Sequence, residues 1–214
     1  MPAVLPEIPA SYLRRIEVLL ASGQRKLLGL VGPPGAGKST LAQALHQQFP
    51  AVSTLVPMDG YHLANAELQR LGRAQRKGAP DTFDSAGYVA LLRRLRQQAG
   101  TETVYAPEFR RDIEEPIAGA IAVSAATRLV ITEGNYLLHH EGYWADVAAL
   151  LDEIWYVDVD DHLRRERLVQ RHEFFGRSHQ AAVDWVSNTD EPNARLIAAA
   201  RHKAHVQFQW PSHG

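Results

Sequence analysis

Apolar residues fall into two registers along this chain. Short, mainly apolar runs occupy positions 26–31, 52–56, 129–132 and 154–159, and runs of that length read as strands buried on both faces. Between them, apolar residues recur every three or four positions. Tyr12, Leu13, Ile16, Leu19 and Leu20 mark a short amphipathic helix over 11–22, and Leu41, Leu45 and Phe49 mark a second. Tyr88, Leu91, Leu92 and Leu95 stand at i, i+3, i+4 and i+7 of another, which Asp84 or Ser85 can cap. Further helices are expected over 63–70, 161–173, 178–187 and 192–201, and a last edge strand over 205–210. Residues 72–83, rich in Gly, Arg, Lys and Pro, read as an exposed loop. Short strands at 102–105 and 118–123, around a charged stretch at 106–116, suggest a hairpin-like insertion. Strands alternating with helices predict an α/β three-layer sandwich: a mostly parallel sheet with helices on both faces.

Composition narrows the class. A chain of 214 residues folded as one domain over 1–214 buries about 70% of its unfolded surface and needs no staples. It contains no cysteine, which excludes disulfides, thiolate metal sites and cysteine nucleophiles, and suits a reducing compartment. A net charge of -1 lacks the basic excess of a nucleic-acid binder, and Arg93, Arg94 and Arg96 have no aromatic platforms beside them. The first ten residues carry three prolines, with no basic segment and no apolar core of signal-peptide length. No stretch approaches a membrane span. The expectation is a cytoplasmic protein with neither nucleic acid nor membrane as partner.

Chemistry enters at Gly32-Pro33-Pro34-Gly35-Ala36-Gly37-Lys38-Ser39-Thr40, a complete phosphate-binding loop between an apolar strand and a helical stretch. Its glycines let backbone N–H groups converge on a phosphate, and the helix start adds its positive dipole end. Lys38 reaches the outer phosphates, and the Ser39 hydroxyl is placed to ligate Mg²⁺. Ligands of such sheets bind beyond the carboxyl ends of the strands, where several other polar residues fall. Asp59, just past the second strand, either accepts the proton of an attacking hydroxyl or helps hold Mg²⁺ through water; Asp59-Gly60 is also a common turn pair. Glu133, at the end of the 129–132 strand, would orient the metal's water shell or the substrate, unless it only caps a helix. Arg164, Arg167 and Arg171 share one helix face and lead into Phe174-Phe175-Gly176-Arg177-Ser178, a lid expected over about 164–178. Asp81 and Asp84 flank Phe83 and could hold substrate hydroxyls, although Asp84 also suits a helix cap. His62 is the one histidine near enough to Asp59 to touch substrate.

With these pieces placed, the chain resembles the uridine kinase, pantothenate kinase and phosphoribulokinase group of P-loop kinases. Within that group it is most similar to bacterial proteins of the nucleoside/nucleotide kinase and fructose transport system kinase kind. The matching stretches, besides the phosphate loop, are Met58-Asp59-Gly60-Tyr61-His62-Leu63, Lys77-Gly78-Ala79-Pro80-Asp81-Thr82-Phe83-Asp84 and Val104-Tyr105-Ala106-Pro107-Glu108-Phe109. Glu114-Glu115-Pro116-Ile117-Ala118-Gly119 and Thr132-Glu133-Gly134-Asn135-Tyr136-Leu137-Leu138 match as well. So do Arg171-His172 through Arg177-Ser178, and Asn188, Asp190 and Asn193.

The resemblance implies ATP with Mg²⁺, and γ-phosphoryl transfer to a hydroxyl of a small molecule. It implies Asp59 as base, with Lys38, Arg167 and Arg171 acting on the transferred group. Gly32, Pro33, Gly35, Ala36, Gly37, Lys38, Ser39, Thr40, Arg177 and Asn193 would meet the nucleotide, and Ser39 and Glu133 the metal. The acceptor would meet His62, Asp81, Phe83, Phe109, Arg110, Glu133 and Asn135, from segments at about 59–84 and 104–120. A homodimer is compatible with it. Relatives often carry an acidic residue after the aromatic of the Ala-Pro-x-Phe segment, where this chain has Arg110 and then Arg111; a cation facing the acceptor there favours an anionic acceptor over a neutral polyol. A sugar or polyol leads the expected acceptors, followed by a nucleoside and a pantothenate-like hydroxy acid. The competing class is a nucleotide-dependent regulatory switch, which needs the phosphate loop but no acceptor pocket.

Overall fold

A computed structural model describes residues 5–211; residues 1–4, part of the stretch examined for leader character, and 212–214 lie outside the described residues. Five strands, β1 (Lys26–Val31), β2 (Ser53–Leu55), β5 (Leu129–Gly134), β6 (Glu153–Asp158) and β7 (Val206–Gln209), form one sheet in the order β2-β5-β1-β6-β7. Every neighbouring pair is parallel. The period-two alternation within the apolar runs explains why the sheet is covered twice. Leu28, Leu30, Leu129, Ile131, Trp155 and Val157 face α1 (Ala10–Leu20) and α2 (Lys38–Gln48). Leu27, Val31, Val130, Ile154 and Tyr156 face the opposite layer, built on α4 (Ser85–Gln97), α5 (Val147–Leu150) and α8 (Glu191–Ala199). The other helices are α3 (Asn65–Arg70), α6 (Asp161–Phe174) and α7 (His179–Trp185). None of the described helices is long and apolar enough to cross a membrane.

Two expectations change. The insertion is a true antiparallel hairpin of β3 (Val104–Arg110) and β4 (Glu115–Val123), longer than the short strands expected, so most of the charged stretch 106–116 lies inside strands. Only Val104, Ala106 and Val123 of the hairpin are buried, so its apolar signal was sparse. The 72–83 segment is not simply an exposed loop. Thr82 and Phe83 are buried, the Tyr136 hydroxyl donates to the Gly78 carbonyl, and Trp144 Nε1 donates to the Pro80 carbonyl at 3.1 Å. Aromatic anchors far along the chain pin a segment whose local composition is polar.

Asp84 stands outside the helical spiral, and its carboxylate accepts from the Gly87 N–H at 2.8 Å, as a cap should. Replacing it with Ala is expected to lower unfolding free energy by about 1 kcal/mol. Urea denaturation of Asp84→Ala reads this directly, and an unchanged midpoint would remove the cap from the account.

Candidate active site

The phosphate loop leaves β1 and closes onto the start of α2. Gly35 and Gly37 hold φ of 80° and 87°, which side chains disfavour. A methyl on Gly35 would also stand 2.9 Å from the Arg164 carbonyl oxygen and from Leu168 of α6. The loop is therefore wedged against α6, which fixes the direction of its N–H groups. At the helix start, Lys38, Ser39 and Thr40 carry first-turn N–H groups without helical acceptors, an anion site by geometry.

Lys38 is buried, and Nζ donates to the carbonyls of Gly32 (2.8 Å) and Pro33 (3.0 Å) and to Asn135 Oδ1 (2.7 Å). Burial pulls its ammonium down to about 8, against the opposing pull of the Glu133 and Asp59 carboxylates. Ser39 Oγ donates to Glu133 Oε1 at 2.9 Å. Glu133 is itself buried. Desolvation and the charge of Asp59 raise it above the ordinary carboxylate range, while Lys38 and the Ser39 hydroxyl oppose that shift. A hydroxyl and a carboxylate oxygen beside a phosphate cradle suit Mg²⁺, which takes one or two protein oxygens and completes its shell with phosphate and water. No cluster of three or more His, Cys, Asp or Glu residues suited to a metal exists among the described residues. The donor set thus fits a metal that arrives with the nucleotide rather than one held in a protein cage.

Loops at the carboxyl ends of the parallel strands line one open cleft of about 1530 Å³. Asp59 lies in a short turn beyond β2, and Arg111 Nη2 donates to its Oδ2 at 3.2 Å. His62 Nδ1–H donates to the Asp59 backbone carbonyl at 2.8 Å, and burial lowers the pKa of the ring. That imidazole packs 4.0 Å from Phe83 and 4.6 Å from Phe109, centroid to centroid, making an aromatic wall. Arg167, Arg171, Arg177 and Asn193 line the same cleft, with the Arg177 guanidinium 4.0 Å from the Trp185 ring centroid. Burial lowers Arg171, and the nearby Arg111 adds to that shift.

The structure thus brings Lys38, Ser39, Thr40, Gly35, Gly37, Asp59, His62, Phe83, Phe109, Glu133, Asn135, Arg167, Arg171, Arg177 and Asn193 to one cavity. Gly32, Pro33 and Ala36 lie beneath it, buried behind the loop surface. Two expected acceptor residues stand elsewhere. Asp81 is forked by Arg76 and approached by Arg73 at 3.4 Å, outside the lining. Arg110 pairs with Asp112 at 2.8 Å on the outer side of the hairpin, and Arg111 takes the inward place. Strand alternation from the inward Phe109 carries that signal: the next residue must point away. Asp84 is a cap, not a lining residue. Arg164, expected at the start of a lid, is 1% exposed and paired with Asp161 (3.1 Å) and Glu191. It clamps α6 to α8, because the helix face shared with Arg167 and Arg171 turns into the protein at its first turn. Lys77, Glu114 and Asp190, which fall in the matching stretches, and Asp158 and Trp210, which no sequence signal marks, also line the cleft. They come from separate segments, and only tertiary packing gathers them.

The Lys38 shift has a measurable sign. Its folded pKa lies below the ordinary 10.5, so a charged Lys38 opposes folding below about pH 8, and this penalty fades as pH rises toward 10.5. Phosphates favour the charged form and raise its pKa. ATP binding in EDTA at about pH 8 should therefore take up a fraction of a proton, seen by calorimetry in buffers of different ionisation enthalpy. Net proton release would contradict this electrostatic picture.

Sequence and structural comparisons agree with this geometry. The model of the phosphoribulokinase / uridine kinase family matches residues 27–213. A Schizosaccharomyces pombe protein named "Putative uridine kinase C227.14" is 34% identical over 197 residues, covering 87% of this chain and 83% of its own. Escherichia coli YggC, described as uncharacterized, is 34% identical over 197 residues, covering 89% and 80%. The crystal structure of a "putative fructose transport system kinase" from Silicibacter sp. TM1040 superposes with a TM-score of 0.86 at 38% identity, covering 94% of this chain and 99% of its own. The chain belongs to the phosphoribulokinase / uridine kinase family and is an ATP-dependent P-loop kinase of small molecules.

Proposed function

We propose that the cleft transfers the γ-phosphoryl group of ATP to a hydroxyl of a sugar- or polyol-sized acceptor, with Asp59 as the general base. One observation carries this reading: the Asp59 carboxylate opens into the same cleft as Lys38 and Ser39, beside the recess walled by His62, Phe83 and Phe109, and the cleft of about 1530 Å³ has room for a second molecule. The acceptor oxygen bonds to the γ-phosphorus as the bridge to the β-phosphate breaks. The hydroxyl proton passes to Asp59, and ADP leaves with the bridging oxygen. Lys38 exchanges its three internal oxygens for phosphate oxygens, and Arg167 and Arg171 neutralise charge spreading over the transferred group. Mg²⁺, held at Ser39 and oriented through Glu133, would screen the phosphates. Phosphoryl transfer asks little covalent chemistry of a protein, so rate enhancement here comes from alignment and charge.

We read the acceptor as a sugar or polyol ahead of a nucleoside. His62 is tilted 41° to Phe83 and 40° to Phe109, so the imidazole lies parallel to neither ring. The relatives' names divide between uridine kinase and fructose transport system kinase. A regulatory switch would need no such recess.

Asp59→Asn should lower kcat by about 10²- to 10⁴-fold while ATP affinity changes little, since the amide keeps the shape but cannot take the proton. Steady-state kinetics together with direct ATP titration check this. A variant that keeps wild-type kcat would remove Asp59 from the base role.

A further inference from the structure

Phosphoryl transfer as described leaves two cations of the cleft without work. Lys77 and Arg111 both line the acceptor side, flanking Phe109: Lys77 Nζ lies 5.2 Å from the ring centroid and the Arg111 guanidinium carbon 6.0 Å. Arg111 is not a loose surface residue that happens to point inward. It opens the turn between β3 and β4, and that turn ends at Glu114, which holds φ of 54° and is the one non-glycine with positive φ among the described residues. The strained residue is locked in place. Its carbonyl accepts from Lys77 Nζ and, at 3.2 Å, from Asn65 Nδ2, while the Glu115 carboxylate accepts from the Asn65 N–H at 3.0 and 3.2 Å. Hairpin tip, α3 and the 77–83 segment thus form one frame that aims Arg111 at Asp59. Strain held in this way at a cleft mouth is a reason to look for a ligand.

Charge points to the kind of ligand. Arg111 meets Asp59 at 3.2 Å, but both side chains are partly open to water, and such a pair adds little stability and exchanges readily. Arg171 stands close enough for the two guanidiniums to oppose each other. Glu114 is a weak counter-charge, because its carboxylate is 55% exposed and 3.9 Å from Lys77. The other nearby carboxylates are engaged elsewhere: Glu133 by Ser39 on the phosphate side, Glu115 by the Asn65 N–H and Asp190 by His172. A neutral sugar would leave this cationic excess unanswered, whereas an anion would satisfy it. Given that the cleft phosphorylates a hydroxyl as proposed above, we infer that the acceptor carries an anionic group, a carboxylate or a phosphate ester, bound by Arg111 and Lys77. The anion draws Arg111 away from Asp59, and the freed carboxylate faces the acceptor hydroxyl. Specificity and release of the base then become one event.

The test uses acceptor pairs that differ only in the anionic group: glucitol and gluconate, glycerol and glycerate, a pentose and its phosphate ester. ADP release with Mg-ATP gives kcat/KM for each. The same compounds are titrated calorimetrically onto protein whose phosphate loop is filled with Mg²⁺ and a non-hydrolysable ATP analogue. The anionic member of a pair should be favoured by about 10- to 100-fold, the scale of a charge-assisted hydrogen bond, and Arg111→Gln should collapse that ratio. The carboxylate and phosphate arms identify which anion is read. Neutral members used as well as anionic ones, or a preference that survives Arg111→Gln, would overturn the inference while leaving the kinase reading intact. If no pair is turned over, the calorimetric arm still decides. Anion binding that Arg111→Gln abolishes supports the inference, and anion binding independent of Arg111 or absent altogether sinks it. Lack of turnover despite analogue binding counts against the choice of phosphoryl acceptor alone.

Discussion

Lys38 carries a positive charge into a place shielded from water, and the geometry of the cleft follows from how that charge is held. Its ammonium is gripped by two carbonyls of its own loop and by the Asn135 side chain, with Glu133 and Asp59 supplying longer-range attraction. This arrangement requires β1, β5 and the turn after β2 to end at one level, which the parallel register provides. It also requires a loop that cannot collapse, and the contact of Gly35 with Arg164 and Leu168 of α6 keeps it open. Desolvation makes the site responsive as well as rigid. A lysine held at reduced proton affinity would gain strongly if phosphate oxygens replaced its internal partners, as the proposed mechanism requires.

What could be read from the chain beforehand divides along a physical line. The strands at 26–31, 129–132 and 154–159 and the helix carrying Tyr88, Leu91, Leu92 and Leu95 are legible because burial imposes a period on local sequence. The phosphate loop is legible because steric demands tie glycines to fixed positions. The acceptor side was harder. Phe109, Arg110 and Arg111 are consecutive, and only the strand's alternation and the turn after it decide which cation faces inward. Arg164, Arg167 and Arg171 share a helix face, yet Arg164 is a buried clamp paired with Asp161 and Glu191 while the others line the cleft, a division that spacing alone does not encode. Asp81 looked like a hydroxyl ligand, but the arginines that claim it, Arg73 and Arg76, sit in its own loop.

The two halves of the cleft are built differently. The nucleotide half uses backbone, one loop and two strand ends, which a short motif encodes. The acceptor half is assembled from the turn after β2, the 77–83 segment and the hairpin tip, held together by Tyr136, Trp144, Asn65 and Glu115. If the hairpin tip reads the acceptor as proposed, changes there would alter acceptor choice without disturbing the sheet.

Kinase action is read most directly in the fate of the γ-phosphorus. Phosphorus NMR of a reaction containing the protein, Mg-ATP and the neutral and anionic acceptor pairs follows that atom itself. A new phosphomonoester resonance should grow in step with ADP and only when an acceptor is present. ATP converted to ADP and inorganic phosphate alone, at a rate no acceptor changes, would contradict kinase action and point instead to a nucleotide-driven switch.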